Sequence, residues 1–367
     1  MTPCTIVIAA GGTGGHFFPA EALAAVLRAR GHRIVLMTDA RSGGLVSPAF
    51  EGCERFVLAG AGIAGRGAAK AAQAFAALAR GTVQASRLLG QVKAAAIVGF
   101  GGYPSVAPVL AARFMRRRPA VILHEQNAVM GRANRWLGAH ADLLALSHAD
   151  TAKVPACVPS QVTGNPVRPP VMALAGQGYA APGARIALLV LGGSLGARVF
   201  SDVVPPALGL LPEGLRGRLD VVQQCRVEDI ERVRAAYAAG GIAAELAPFF
   251  GDVARRLAAA HLVISRAGAS SVAELAVAGR PSVLVPLPSA IDDHQTANAR
   301  ALADASGAWV MAQAGLTAQV LAEKLNQVLA DPAGLAQAAA RAASCGRADA
   351  AAVLADAVER LAAGRVS

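Results

Sequence analysis

An apolar run near the N-terminus ends in a loop made almost entirely of glycine. Residues 5–10 read TIVIAA, four of the next five residues are glycine, and His16 and Pro19 follow. β-Branched apolar runs that stop at glycine are typical of buried strands, and glycine lets the backbone approach a ligand closely. Because proline suits the first helical turn, Pro19 predicts the beginning of a helix. A strand, a glycine loop and a helix N-terminus together predict an anion site, with His16 at its mouth.

The same arrangement recurs in the second half of the chain. An apolar strand runs into residues 192–197, GGSLGA, and short strands alternate with helical segments in both halves. This repeated alternation predicts an α/β protein of two Rossmann-like domains facing each other across a cleft, with ligands at the carboxyl ends of the strands. The predicted strands are 5–10, 33–38, 95–100, 120–124, 142–146, 185–191, 219–224, 262–265 and 281–286.

A proline- and glycine-rich stretch separates the halves. We expect a first domain over 1–165, a linker over 166–183 and a second domain over 184–340, with the C-terminal helix 341–367 joining the first domain.

Asp39 ends the second strand, where the ribose-binding acid of a dinucleotide-binding oxidoreductase would lie. That alternative is disfavoured because neither glycine loop matches G-x-G-x-x-G.

The positive charge is concentrated in the first half of the chain. Residues 1–165 carry 17 Lys and Arg against 7 Asp and Glu, whereas residues 166–367 carry 18 against 17. Nucleic acid, anionic lipid and a surface-bound anionic substrate are the partners that such a charge suggests. With aromatic residues at 4% of the chain and no recognisable nucleic-acid-binding motif, nucleic acid is disfavoured.

Two basic segments suit a membrane surface. Residues 66–93 interleave apolar side chains with Arg66, Lys70, Arg80, Arg87 and Lys93, and residues 114–118 read FMRRR. One interpretation is an ordinary packed helix and a solvated turn, and the other is a peripheral membrane patch. Residues 94–112 carry no charge, but their glycines and prolines predict a strand, a turn and a helix rather than a membrane span.

The cysteines and the N-terminus bear on the compartment. The five cysteines are scattered, which indicates neither a disulfide framework nor a zinc site and favours a reducing environment. The N-terminus has no basic segment before its first strand, so we expect no signal peptide.

Residues 265–275, SRAGASSVAEL, form the most specific passage. A strand ends at Ser265, and a helix beginning near Ala269, Ser270 and Ser271 would aim free N–H groups at a diphosphate. Glu274 would then accept hydrogen bonds from a ribose diol. The same spacing also fits a capping box between Ser271 and Glu274. Downstream, residues 293–298 group polar side chains suited to a sugar, and the backbone near Phe250 can face a base.

These passages resemble the MurG family, the peripheral membrane N-acetylglucosaminyltransferases of peptidoglycan synthesis among the GT-B glycosyltransferases. The resemblance runs almost end to end, through GGTGGH, GGYPS, HEQN, GNPVR, GGSLGA, residues 266–274 and DHQ with Asn298. It implies inverting transfer of GlcNAc from UDP-GlcNAc to the 4-hydroxyl of MurNAc in lipid I, forming lipid II. It also implies an enzyme on the cytoplasmic face of the bacterial inner membrane, with cell-wall synthesis proteins as further partners. We expect no cofactor and no metal, because the sequence has no Asp-x-Asp triplet.

The resemblance also implies site residues. Lipid I would meet the first domain at three loops, which carry residues 14–16, Gly102 with Tyr103, and residues 125–127. The positions implied for UDP-GlcNAc are Thr13, Gly14, Gly15, Asn127, Arg168, Ser194, Phe250, Arg266, Ala269, Ser270, Ser271, Glu274, His294, Gln295 and Asn298. Our hypothesis for the general base is His16, with Glu125 as the alternative.

Two departures from the family pattern affect the donor site. Arg226 lies where relatives often have a short segment ending in glycine, and His294 stands where some carry glutamine.

Three alternatives stay open: a UDP-sugar:diacylglycerol transferase, a nucleotide-sugar epimerase of the same architecture, and a catalytically silent scaffold protein. Residues 124–127, HEQN, disfavour the first, an epimerase would need no membrane patch, and turnover would exclude the scaffold.

Overall fold

The computed structural model describes residues 2–12, 14–39, 47–58, 68–193 and 196–365. The chain divides into two compact units, Met1–Arg168 with Asp349–Ser367 and Pro169–Ala348. The divisions expected from the sequence lie at 165 and 341. The return to the first unit comes later because the helix Pro332–Ser344 packs within the second unit. The glycine-rich part of the expected linker belongs largely to the second unit.

The first unit is built on a seven-stranded parallel sheet of order β3-β2-β1-β4-β5-β6-β7. Five of these strands are predicted from their apolar runs, and their predicted bounds agree with the structure to within one residue. The short strands β3 and β7 are missing from the prediction because they lie at the sheet edges and are polar. The strands are β1 Thr5–Ala9, β2 Arg33–Thr38, β3 Glu54–Val57, β4 Ala94–Gly99, β5 Ala120–Glu125, β6 Leu143–Leu146 and β7 Ser160–Val162.

Helices cover both faces of this sheet. The first and last helices share one core with the strands, and the next three pack on the other side. The C-terminal helix is held by a buried polar contact, because His32 Nε2 lies 2.8 Å from Glu359 Oε1. The helices are α1 Gly14–Ala29, α2 Ala68–Gln91, α3 Val106–Arg113, α4 Arg132–Leu137 and, at the C-terminus, α14 Ala350–Ala363.

Helix α1 begins earlier than its proline predicts. It starts at Gly14, so Pro19 lies in the second turn rather than the first. Proline there lacks the N–H that would bond to the carbonyl of Gly15. The prediction that the helix begins at Pro19 is wrong. The correct start places the side chain of His16 in the first turn, beside the strand ends.

The uncharged segment 94–112 forms a strand, a turn and a helix, as predicted. It contains β4, a 3₁₀ turn at Tyr103–Ser105 and most of α3. Among the described residues, no helix has the length and apolar character needed to cross a membrane.

The second unit is built on a six-stranded parallel sheet of order β10-β9-β8-β11-β12-β13. Its strands are β8 Ile186–Leu191, β9 Leu219–Gln224, β10 Ala244–Ala247, β11 Leu262–Ser265, β12 Ser282–Leu284 and β13 Ala308–Val310. Its helices are α5 Pro169–Met172, α6 Arg198–Gly209, α7 Glu213–Arg216, α8 Ile230–Ala239, α9 Val253–Ala259, α10 Ala269–Ala278, α11 His294–Ala303, α12 Ala318–Leu329 and α13 Pro332–Ser344.

Both sheets reverse their strand order at the glycine loops. In the first unit the reversal lies between β1 and β4, and in the second between β8 and β11. Open parallel sheets bind ligands outside the carboxyl ends of the strands at such a reversal. Each unit therefore has one expected ligand edge, and the glycine loop of that unit lies on this edge.

Candidate functional site

The ligand edge of the first unit brings His16 against the loop after β4. A Cβ built on Gly102 would lie 3.6 Å from His16 Nε2, and one built on Gly101 would lie 3.6 Å from His16 Cε1. Both glycines have positive φ, of 80° at Gly101 and 65° at Gly102. Glycine is favoured at both positions because their φ angles lie in a region that other residues avoid. The half-buried ring of His16 therefore lies at an open, glycine-lined surface.

The opposite edge of the imidazole is tied into the protein interior. His16 Nδ1 lies 3.2 Å from Gln126 Oε1. Behind Gln126, the fully buried His124 places its Nε2 3.0 Å from the carbonyl oxygen of Gly164. Burial lowers the pKa of His124 to about 4, so its ring is neutral. Nε2 of His16 is thus the ring nitrogen that faces the glycine loop.

Glu125 is a structural carboxylate. It is 2% exposed. Its Oε1 accepts hydrogen bonds from the backbone N–H and the Nδ2 of Asn127, both at 3.0 Å. Its Oε2 accepts from the N–H of Gly131 at 2.9 Å and from Asn134 Nδ2 at 2.8 Å. Four hydrogen bonds fill the lone-pair positions of a carboxylate, which argues against the alternative that Glu125 is the base.

In the second unit, α10 begins as the diphosphate interpretation requires. The helix starts at Ala269 with Gly268 as its N-cap, and no side chain caps it. Ser271 is therefore the third helical residue, and the capping-box alternative is wrong. The N–H groups of Ala269, Ser270 and Ser271 have no intrahelical acceptor, because they belong to the first turn. Glu274 lies in the second turn and is 9% exposed.

Gln224, the last residue of β9, joins two loops of this edge. Its Oε1 accepts a hydrogen bond from the N–H of Gly192 at 3.1 Å, and its Nε2 donates to the carbonyl of Gly193 at 3.0 Å. The same Nε2 donates to the carbonyl of Pro248 at 3.1 Å. Gln224 therefore fixes the glycine loop after β8 relative to the segment that carries Phe250. Sequence reasoning noticed 223–226 as a departure from the family pattern but assigned Gln224 no role.

The wall beside this glycine loop contains Arg226, as the sequence suggested. A Cβ on Gly196 would lie 3.1 Å from Arg226 Cγ. Phe250 is buried, and its ring packs under the guanidinium of Arg256 at 4.1 Å. With the ring committed to the interior, it is the backbone of Phe250 that can face a base.

The guanidinium of Arg266 is committed to its own chain. It donates to the carbonyls of Val285 and Pro286 at 3.1 and 3.2 Å and to Gln313 Oε1 at 2.6 Å. Burial lowers the pKa of Arg266 from its ordinary value. These contacts connect Arg266 to the loops after β12 and β13, and its direct contact with the donor stays a prediction. A single sequence cannot distinguish these roles, because either would place arginine at the strand end.

The residues predicted to hold the sugar lie where β12 leads into α11. Asn298 is fully buried and donates to the carbonyl of Ala267 at 3.2 Å. Gln295 Oε1 accepts from the N–H of Leu287 at 3.0 Å, and His294 Nδ1 donates to the carbonyl of Ile291 at 2.8 Å. Each side chain thus has at least one polar atom engaged by its own chain, and Asn298 connects α11 to the loop before α10.

Comparison with known proteins assigns the family. The model of the glycosyltransferase family 28 N-terminal domain matches residues 6–145, and that of the C-terminal domain matches residues 187–354. The chain belongs to glycosyltransferase family 28. The prediction of two Rossmann-like domains in a GT-B glycosyltransferase is confirmed.

Relatives of this family 28 chain carry a specific name. A protein of Granulibacter bethesdensis is 63% identical over 97% of this chain and 93% of its own length. One of Acidiphilium cryptum is 55% identical over 98% of both. Both are named UDP-N-acetylglucosamine–N-acetylmuramyl-(pentapeptide) pyrophosphoryl-undecaprenol N-acetylglucosamine transferase. The crystal structure of Acinetobacter baumannii MurG matches with a TM-score of 0.77 at 30% identity, covering 98% of this chain and all of that one.

The remaining predicted site residues differ in whether the structure describes them and in what they contact. Thr13 and Ser194 lie outside the described residues. Arg168 stacks over the ring of Phe18 at 4.3 Å, beside the first glycine loop. Tyr103 lines a small cavity with Thr38 and Asp39 at the end of β2. Within the described part of the chain, no three His, Cys, Asp or Glu side chains are grouped so as to hold a metal ion.

Proposed function

We propose that this chain transfers GlcNAc from UDP-GlcNAc to the 4-hydroxyl of MurNAc in lipid I, with inversion, and forms lipid II and UDP. The observation that carries the proposal is the family 28 match at both glycine-loop edges, together with 63% identity to a protein of that name. The first unit supplies the histidine edge for the acceptor, and the second supplies the helix N-terminus for the donor. The activity serves peptidoglycan synthesis.

Transfer requires a proton acceptor and a site for the departing diphosphate. The acceptor oxygen attacks the anomeric carbon of GlcNAc while its proton passes to Nε2 of His16, and the bond between that carbon and the diphosphate oxygen breaks. The negative charge that develops on UDP is stabilised by the N–H groups of Ala269, Ser270 and Ser271 and by the dipole of α10. Arg266 keeps the neighbouring loops in place.

The uridine end is proposed to lie between Glu274 and the Phe250 backbone. The Glu274 carboxylate would accept hydrogen bonds from the two ribose hydroxyls. The Phe250 segment, which Gln224 fixes at Pro248, would pair with the uracil edge. His294 and Gln295 flank the GlcNAc, where the consecutive positive φ angles of Asp292 and Asp293 indicate a strained loop.

We also propose that the first unit binds the anionic surface of the inner membrane through α2, α3 and α4. These helices cover the same face of the sheet and carry large exposed apolar side chains: Phe75 (74%), Val83 (53%), Phe114 (77%) and Trp136 (54%). Leu89 and Val92 of the same segment are buried, so the packed-helix interpretation holds for them. Arg66 and the Lys70 side chain lie outside the described part.

Basic side chains surround this apolar set. Arg80 and Arg87 line a groove with Val83, and Arg116 and Arg117 are exposed next to Phe114. An apolar centre with a cationic rim suits the interface of an anionic bilayer.

The membrane proposal predicts that binding to vesicles depends on both features. Phe114→Ser is expected to weaken binding to phosphatidylglycerol-containing vesicles about tenfold. Burial of a phenylalanine side chain in the bilayer contributes about 1.5–3 kcal/mol to the free energy of binding. Leu210→Ser, at a similarly exposed position of the second unit, is the matched control and should change nothing. Raising the salt concentration should release the protein. Vesicle co-sedimentation measures the effects of the substitutions and of salt on binding. Equal binding to neutral vesicles would contradict the electrostatic part of the membrane proposal.

The transferase proposal is tested by UDP release. With UDP-GlcNAc and a short-chain lipid I analogue, we expect UDP to appear only when the analogue is present. Formation of a C2 epimer or acceptor-independent UDP release would favour the epimerase alternative. Donor binding without turnover, with the analogue and with diacylglycerol alike, would favour the scaffold.

A further inference from the structure

A line of polar contacts runs from the base into the protein interior. His16 Nδ1 contacts Gln126 Oε1 at 3.2 Å, and Gln126 Nε2 contacts His124 Nδ1 at 3.1 Å. His124 Nε2 then contacts the carbonyl oxygen of Gly164 at 3.0 Å. Two imidazoles are thus connected through one amide, and the line ends at a backbone carbonyl.

Backbone carbonyls determine the orientation of the Gln126 amide. Gln126 Nε2 lies 2.9 Å from the carbonyl oxygen of Phe100 and 3.3 Å from that of His124. A carbonyl oxygen accepts hydrogen bonds and cannot donate them, so the NH₂ group must face both. The reversed amide would bury oxygen against two oxygens. Gln126 is 1% exposed, and its Oε1 therefore faces His16 as an acceptor.

The same reasoning determines the proton on His124. Its Nε2 faces the carbonyl of Gly164 and must carry a hydrogen. Its Nδ1 then accepts from the NH₂ group of Gln126, because the buried ring is neutral, with a pKa lowered to about 4. The hydrogen-bond directions are mutually consistent from Gly164 to His16.

We propose that Gln126, supported by His124, is a positioning residue that holds His16 in its Nδ1–H tautomer. Gln126 Oε1 requires a donor from His16, so in the neutral ring the hydrogen lies on Nδ1 and Nε2 keeps its lone pair. That nitrogen is the one beside Gly102 (φ 65°, ψ −174°), which presents no side chain to the ring. The role of this tautomer in catalysis rests on the proposed function. The presence of the tautomer rests only on the hydrogen bonds described above.

The tautomer matters because an imidazole with hydrogen on Nε2 cannot take a proton there. In serine proteases, a wrong histidine tautomer costs about 10⁴-fold in kcat. Here the two tautomers would interconvert freely once the amide acceptor is removed. We therefore expect Gln126→Met to lower kcat by about 10- to 10³-fold.

Nitrogen-15 NMR of histidine-labelled protein tests the proposal directly. In the wild-type enzyme without ligand, at a pH where the ring is neutral, His16 is expected to carry its hydrogen on Nδ1 and His124 on Nε2. The His16 signals are assigned by their loss in His16→Gln. In Gln126→Met, the His16 signals should shift towards the Nε2–H form. Gln161→Met, a substitution of the same kind at a β7 position outside the site, should change neither the spectrum nor kcat.

The wild-type spectrum keeps the proposal testable even if Gln126→Met fails to fold. A wild-type His16 with hydrogen on Nε2, or a Gln126→Met protein whose His16 remains in the Nδ1–H form, would overturn it. Failure of the proposed function looks different: the wild-type enzyme would release no UDP in response to the lipid I analogue while the predicted tautomers were still observed.

Discussion

Replacement of His16 by alanine is expected to lower kcat for GlcNAc transfer by about 10²–10⁴-fold, the range that a positioned general base contributes. The affinity for UDP-GlcNAc should stay within about twofold, because the proposed donor contacts belong to the second unit. The imidazole is the group with a nitrogen facing the glycine loop, whereas the carboxylate of Glu125 already accepts four hydrogen bonds. Steady-state kinetics with a short-chain lipid I analogue, together with titration of donor binding, separates the two effects.

The control for His16→Ala is another histidine of the same unit. His140→Ala removes a half-buried imidazole far along the chain from the glycine loops, at the end of the 3₁₀ turn Gly138–His140. It should leave kcat near the wild-type value. Near-normal turnover of His16→Ala would show that the acceptor proton leaves by another route, and the base assignment would be lost.

Replacement of Glu274 by alanine is expected to raise the Kd for UDP-GlcNAc by about 10- to 100-fold. A hydrogen bond to a charged group contributes about 1.5–3 kcal/mol, and about 1.4 kcal/mol is tenfold in Kd, so the loss of one such contact to the ribose accounts for this increase. Glu274 lies in the second turn of α10, C-terminal to the N–H groups proposed for the diphosphate. Isothermal titration measures the change.

A ligand without the ribose 2′-hydroxyl makes this experiment specific. The wild-type enzyme should bind 2′-deoxy-UDP-GlcNAc more weakly than UDP-GlcNAc, whereas Glu274→Ala should bind the two equally. This is a double-mutant cycle between carboxylate and hydroxyl, and a coupling near zero would remove Glu274 from the ribose. Glu231→Ala, on the exposed surface of α8, controls for loss of a carboxylate in the same unit.

The sequence predicts the centre of each sheet better than its edges. The strands β2 and β11 lie where their apolar runs place them, because a central parallel strand is buried on both faces and is therefore largely apolar. Edge strands such as Glu54–Val57 and Ser160–Val162 are half-exposed and polar, so their sequences resemble loops. The start of α1 was also out of reach, since a proline in the second turn conflicts with the usual signal.

For the candidate site, the sequence identifies positions rather than roles. The motifs point to the strand ends that the structure then brings together, but side-chain direction decides what each residue does. Arg266 and Asn298 hold loops through backbone carbonyls, and Gln224 joins two loops. These roles depend on contacts between residues that are distant in the chain. Gln126 is a further case, because its role follows from the orientation of one amide against Phe100.

The most direct test of the whole account is the structure of the product formed from UDP-GlcNAc and a soluble lipid I analogue. We predict a disaccharide in which GlcNAc is β-linked to the 4-hydroxyl of MurNAc, with one UDP released for each disaccharide, identified by mass spectrometry and by the anomeric proton coupling in NMR. An α-linked sugar, a different acceptor hydroxyl, or a UDP-sugar epimer in place of a disaccharide would contradict it.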